Sequence, residues 1–251
     1  VYAYAEQLAA DGQKEAAAVE FYSLGGYQDA MERGNALEYE LAMSEKVQDV
    51  HSALDRFEAL GDYSDAAAQA EACRYDIAKA MTDAGELEEA LNAFEALGDV
   101  QDAPEQAQRC RYLLAQQAMN AGEYDEAIAL YEACGAYLDA EDGAMQARYA
   151  KAAALFDAQE YEAAAQAFAE LGSYEDAKQR VTASEDAWLS ADYNSARMDT
   201  EVGNYAAVID ELEAYYGSEL PTRYAAMHEM YESACLLRAQ ELTALGRPLD
   251  A

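Results

Sequence analysis

Acidic side chains are the residues of this sequence best supplied for chemistry: 50 Asp and Glu stand against 16 Lys and Arg, a net charge of −34 over 251 residues. General acid and base catalysis needs two carboxylates whose surroundings push their proton affinities apart. Here carboxylates neighbour one another along the whole chain, so no pair is set apart. Runs such as Glu86, Glu88 and Glu89 lack the ligand spacing of a calcium loop. Cys73, Cys110, Cys134 and Cys235 show no zinc-ligand spacing, with only His51 and His228 to complete a site. With no glycine-rich phosphate loop and no nucleophile beside a base, the sequence reads as a non-enzyme with no cofactor and no metal. The charge also argues against nucleic acid or an anionic membrane surface as the main partner, because phosphate would be repelled. It leaves two readings: the acids solubilise outer helix faces, or they line a groove for a basic protein segment.

The elements that would position any contact surface follow from one stretch, Tyr112 to Ala140. Leu113, Leu114, Ala115 and Ala118 lie along one side of a helix. Ala121-Gly122 breaks it, since glycine supplies the positive φ of a helix end. A second helix starts near Tyr124 and carries Ala127, Ile128, Tyr131 and Cys134 at the same spacing. Glu123, Asp125 and Glu126 sit in its first turn, where the helix dipole favours them. Such a hairpin cannot bury its apolar face alone and must stack on copies of itself.

The copies are present. Tyr2, Tyr39, Tyr75, Tyr112, Tyr149 and Tyr193 are separated by 37, 36, 37, 37 and 44 residues. Each is followed three residues later by alanine (Ala5, Ala42, Ala78, Ala115, Ala152, Ala196), marking a close helix approach. Second helices repeat Ala17, Ala53, Ala90, Ala127 and Ala164, each four residues before Phe21, Phe57, Phe94, Tyr131 or Phe168. Units close on Gly25, Gly61, Gly98, Gly135 and Gly172, then the pattern Tyr-x-Asp-Ala, with aspartates at Asp29, Asp65, Asp102, Asp139 and Asp176. Each aspartate is expected to cap the next helix through its side chain, and Pro104 fits that helix's first turn.

Gly122-Glu-Tyr-Asp-Glu-Ala-Ile, with Ala115 before it and Tyr131 after it, resembles the tetratricopeptide repeat over most of the chain. The departures are the longer period, a polar residue before the first-helix tyrosine, and Asp where that family usually ends with Pro. The Leu-Gly-x-Tyr-x-Asp-Ala closure also resembles a variant repeat of bacterial proteins. The resemblance implies an all-α, right-handed α-α solenoid whose first helices line a concave, protein-binding face. It places the tyrosines on that face, so the implied groove is Tyr75, Lys79, Arg109, Tyr112, Gln116, Met119, Gln146, Tyr149 and Phe156. The alternative is that each tyrosine only packs against the next first helix. The family's carboxylate-gripping subset has basic and amide residues where these tyrosines stand, so that activity is not carried over.

Residues 1–182 hold five regular repeats and 183–251 a variant region with a longer sixth first helix. That helix carries Trp188, read as packing or as a partner anchor. A final long helix from near Pro221 bears Tyr224, Met227, Tyr231 and Leu236 as an apolar stripe. In the second repeat Gln48-Asp49 replaces the turn glycine and His51 follows as a surface or packing residue. Met43, Met81, Met119 and Met145 read as core or groove filler. Cys73 and Cys110, one repeat apart on helices about 8 to 10 Å apart, read as buried thiols. Val1 without an initiator Met, and Gly246 to Ala251 echoing Gly122 to Ala127, suggest a fragment whose exposed end faces self-associate weakly end to end. Free thiols favour a reducing compartment. An architectural spacer in a larger bacterial surface or envelope protein is the alternative to a binding scaffold.

Overall fold

The computed structural model describes residues 1–247 and comprises two compact units, 1–144 and 145–251, the second described as far as Arg247. Among the described residues every regular element is helical. The first unit holds α1 (Tyr2–Ala10), α2 (Lys14–Ser23), α3 (Ala30–Glu45), α4 (Val50–Leu60), α5 (Ala66–Ala84), α6 (Leu87–Leu97), α7 (Ala103–Ala121), α8 (Tyr124–Cys134) and the first residues of α9 (Ala140–Asp157). From α1 to α8 consecutive helices pack on one another. The second unit holds the rest of α9, then α10 (Tyr161–Glu170), α11 (Ala177–Val202), α12 (Tyr205–Leu212) and α13 (Ala226–Ala244). Short 3-10 turns lie at Glu213–Tyr215 and Thr222–Tyr224. There α10 packs on α11, and α11, α12 and α13 pack on one another.

The alanine ladder is the floor of each contact. Ala5, Ala42, Ala78, Ala115, Ala152 and Ala196 are all 0% exposed, as are their second-helix counterparts from Ala17 to Ala164. Phe21, Phe57, Phe94 and Phe168 are buried beside them, and Tyr131 replaces the phenylalanine in the fourth hairpin. Tyr131 is matched by a glycine. A Cβ on Gly143 would meet the Tyr131 ring at 2.7 Å, whereas Arg33, Gln69, Gln106 and Arg180 hold the equivalent position opposite phenylalanines. At the hairpin turns, Gly122 at φ 78° lets the Glu123 N–H reach back to the Ala118 carbonyl at 2.9 Å. The second repeat lacks that glycine, and Asp49 does its work by accepting from the backbone N–H groups of His51 and Ser52 at 3.1 and 3.2 Å.

The aspartates of the closures do not cap as expected. Asp29, Asp65, Asp102 and Asp176 make no side-chain cap bond to their helices. Their backbones sit at φ −98° to −109° and ψ 17° to 25°, away from the extended conformation from which a cap carboxylate reaches the helix N–H groups. Asp49, at φ −146° and ψ 93°, has that conformation and caps. Each closure also holds a non-glycine residue at positive φ: Gln28, Ser64, Gln101, Leu138 and Glu175, between 43° and 51°. This is a sparsely populated region for such residues, imposed five times at the same place. The third closure departs from the pattern, with Val100 at the tyrosine position.

Later elements depart from expectation in places. The last long helix begins at Ala226 after a 3-10 turn, and Leu236 is 61% exposed, outside the stripe that buries Tyr224 and Met227. Helix α11 has 26 residues against 19 in α7. Trp188 on it is half-buried and meets Tyr215 edge-on at 6.0 Å, which is the packing reading. Cys73, Cys110 and Cys134 are buried free thiols. The echo of a further repeat at Gly246 to Ala251 runs into residues 248–251, outside the described residues.

Candidate functional site

The tyrosine strip is built from the alanine ladder outward. With Ala115 pressed into the stack, Tyr112, three residues earlier on α7, lies on the same side of the helix. Its ring meets Tyr131 edge-on at 5.7 Å and Tyr137 at 5.9 Å. The arrangement repeats: Tyr2 on Phe21 and Tyr27, Tyr39 on Phe57 and Tyr63, and Tyr149 on Phe168 and Tyr174. Tyr75 meets Phe94 at 5.6 Å.

Every hydroxyl of this series then donates to a closure aspartate 26 or 27 residues ahead: Tyr2 to Asp29, Tyr39 to Asp65 at 2.5 Å, Tyr75 to Asp102, Tyr112 to Asp139 and Tyr149 to Asp176. Each bond ties one first helix to the start of the next and spans the intervening second helix. The other carboxylate oxygen is taken one turn on, by Gln69 at 3.0 Å, Gln106 at 3.0 Å or Arg180 at 3.3 Å. In the first repeat Arg33 instead reaches the Tyr2 hydroxyl at 3.1 Å and Glu6 at 2.6 Å. Gly143 brings no side chain to Asp139. The series ends at Asp176. Beyond it, Tyr215 donates to Asp192 and Tyr224 to Asp186, back onto α11.

The bonds shift both partners. Donation from the tyrosine, seconded at Asp65 and Asp102 by the glutamine, holds the carboxyls of Asp65, Asp102 and Asp176 below their ordinary value. Bonding to the carboxylate, with some burial, raises all five tyrosines and pushes Tyr75 and Tyr112 up to about 12. The depressed aspartates therefore contribute stability above their unfolded-state pKa and lose it as pH falls through the folded value. The raised tyrosines contribute stability below pH 10 and lose it as pH rises towards 12. Phenolate absorbance and melting curves between pH 9 and 12 are expected to show a class of tyrosines titrating late, together with loss of stability. Tyr75→Phe should flatten that alkaline loss. Titration of all tyrosines together near 10 would show that the bonds do not persist in solution.

The structure brings together only part of the contact set expected from sequence. Lys79 lies close enough to act on Asp102, and Gln116 on the Tyr112 hydroxyl, so Tyr75 with Lys79 and Tyr112 with Gln116 form two like clusters in the first unit. The ring of Tyr75 is only 7% exposed, which removes it from any contact surface, whereas Tyr112 and Tyr149 are half-buried. Arg109 and Gln146 are exposed, and Met119 is half-buried. Phe156, in the second unit, packs edge-on against Tyr161 at 5.3 Å. Sequence reasoning missed the aspartates as part of this strip, although their fixed spacing from the tyrosines was the available signal. No protein-family model matches the chain, and no curated protein matches it.

Proposed function

We propose that the chain is a non-enzymatic scaffold, a tetratricopeptide-like right-handed stack of hairpins that binds a basic peptide or protein segment. The observation that carries this reading is a repeated surface: a first-helix tyrosine, half-buried at Tyr2, Tyr39, Tyr112 and Tyr149, whose hydroxyl donates to an aspartate of the next closure, on a chain of net charge −34. A repeated surface suits an extended partner that meets successive repeats alike, and aromatic rings give large contact area at small entropic cost. Exposed apolar side chains such as Val19 and Leu245 support weak self-association within the same reading.

The second reading, an architectural spacer, draws on a specific observation too. The tyrosine hydroxyls are consumed by bonds within the chain, and Tyr75 is buried, which is what a stiffening device needs. Selection of binders from a library of lysine- and arginine-rich peptides separates the two. The scaffold reading expects binders whose affinity falls several-fold with Tyr112→Ala or Gln116→Ala, and also falls with added salt. Binders that match scrambled peptides in affinity would leave the spacer.

A further inference from the structure

An apolar opening of the first unit lies away from the tyrosine strip. Ile77, two residues after Tyr75, lies about 200° around α5 from it. It forms the floor of a groove of about 490 Å³ between α4 and α6. Leu54 of α4 and Ala93, Ala96 and Leu97 of α6 make the walls, Val100 closes one end, and His51, Glu71 and Arg74 stand at the rim. The volume falls within the roughly 300 to 1,000 Å³ of pockets that hold ligands.

Two small residues open it. The position of Ala93 is taken by Arg56 in the preceding hairpin and Leu130 in the next, each one residue before the buried aromatic. The position of Val100 is Tyr63 before and Tyr137 after. In the preceding copy Arg56 is held across the space by Glu38 at 2.5 Å, Glu45 at 2.8 Å and Glu15 at 2.9 Å. No such side chain extends from Ala93. The charge around the opening is negative: Arg74 is already paired with Glu58 at 2.7 Å, while Glu71 at the rim on α5 and Glu89 on α6, one turn before Ala93, are exposed. An apolar trough with spare carboxylates on an acidic chain complements one chemistry, aliphatic side chains flanked by cationic ones.

We propose that the groove over Ile77 receives the aliphatic face of a lysine- or arginine-rich amphipathic helix from a partner protein. This rests on the scaffold reading and moves the contact to the other side of α5. Helix-in-groove binding is read as anchors at i, i+3 or i+4, and i+7. The leucine face enters where Leu130 stands in the next hairpin, and the cationic face meets the exposed carboxylates.

The test uses a synthetic peptide of about 18 residues with leucines at those anchor positions and lysines elsewhere, titrated by fluorescence anisotropy. Ala93→Leu, which copies the next hairpin, should weaken binding by about tenfold or more with an unchanged melting curve. Should that variant fail to fold, Ala96→Leu, at an exposed position of the same groove, makes the same test. Alanine in place of the peptide's leucines, or glutamate in place of its lysines, should abolish binding. Binding that ignores Ala93→Leu and Ala96→Leu but falls with Tyr112→Ala overturns the groove and leaves the scaffold standing. No binding to the wild-type chain overturns the groove. Equal binding of the glutamate peptide also overturns it, because charge would then select nothing.

Discussion

Phe94→Ala is expected to destabilise the chain by about 3 to 5 kcal/mol, the range for truncating a buried aromatic. The ring is 1% exposed and packed among Ala78, Ala90, Ala103, Ala107 and Cys110. These buried neighbours are short side chains whose positions are set by helix backbones, so only the partly buried Met81, Leu91 and Leu97 can swing towards the space. The ring is also the edge-on partner of Tyr75, and Val100 stands where other hairpins supply a second ring. Phe57→Ala should cost less, because Tyr39 keeps Tyr63 at 6.2 Å. Urea denaturation of both variants checks the order. Because a stacked array is held by nearest-neighbour interfaces, the Phe94 variant should also unfold less cooperatively. A loss below about 1 kcal/mol would mean that the site collapses freely, against the packing described.

Ala115→Leu should cost about 1 to 3 kcal/mol for the opposite reason. Ala115 is 0% exposed at the packing of α7 on its neighbours, so added carbons must push helices apart or take poor rotamers. Ala78 is equally buried and should respond alike. An exposed alanine on the same kind of hairpin, Ala133, supplies the control and should change stability by no more than about 0.5 kcal/mol. An unaltered denaturation midpoint for Ala115→Leu would place the ladder on a surface and undo the account of the stack.

The ladders themselves were legible, because a helix that buries one face writes that face at three- and four-residue spacing, as at Ala115 and Ala118 or Ala127 and Tyr131. The role of Asp102 was not. Read locally, an aspartate before a helix is a cap, and nothing nearby shows that its backbone is turned away or that Tyr75, 27 residues earlier, claims its oxygen. The positive φ of Leu138 and Glu175 was hidden for a related reason, since neither residue favours it and only the closure's geometry imposes it. The groove over Ile77 needed both levels: Ala93 and Val100 are ordinary residues until the register shows what stands at their positions in neighbouring hairpins. Burial of Tyr75 against half-exposure of Tyr112 followed from neighbours that periodicity does not rank.

The tyrosine-to-aspartate bonds also make the chain editable in whole hairpins. Each bond joins one repeat to the next, and those of Tyr75 and Tyr112 share one offset, so excising residues 76–112 would leave Tyr75 facing Asp139 at the same 27-residue separation it now has from Asp102. Every remaining donor would still find an acceptor, and every acceptor a donor. Duplication of the same stretch closes equally well. Repeat number can therefore drift through unequal recombination without stranding a buried polar group, provided that the cut respects the 37-residue phase that separates Tyr75 from Tyr112. A deletion out of phase would break that pairing at the seam and shift the alanine ladder on one side of it.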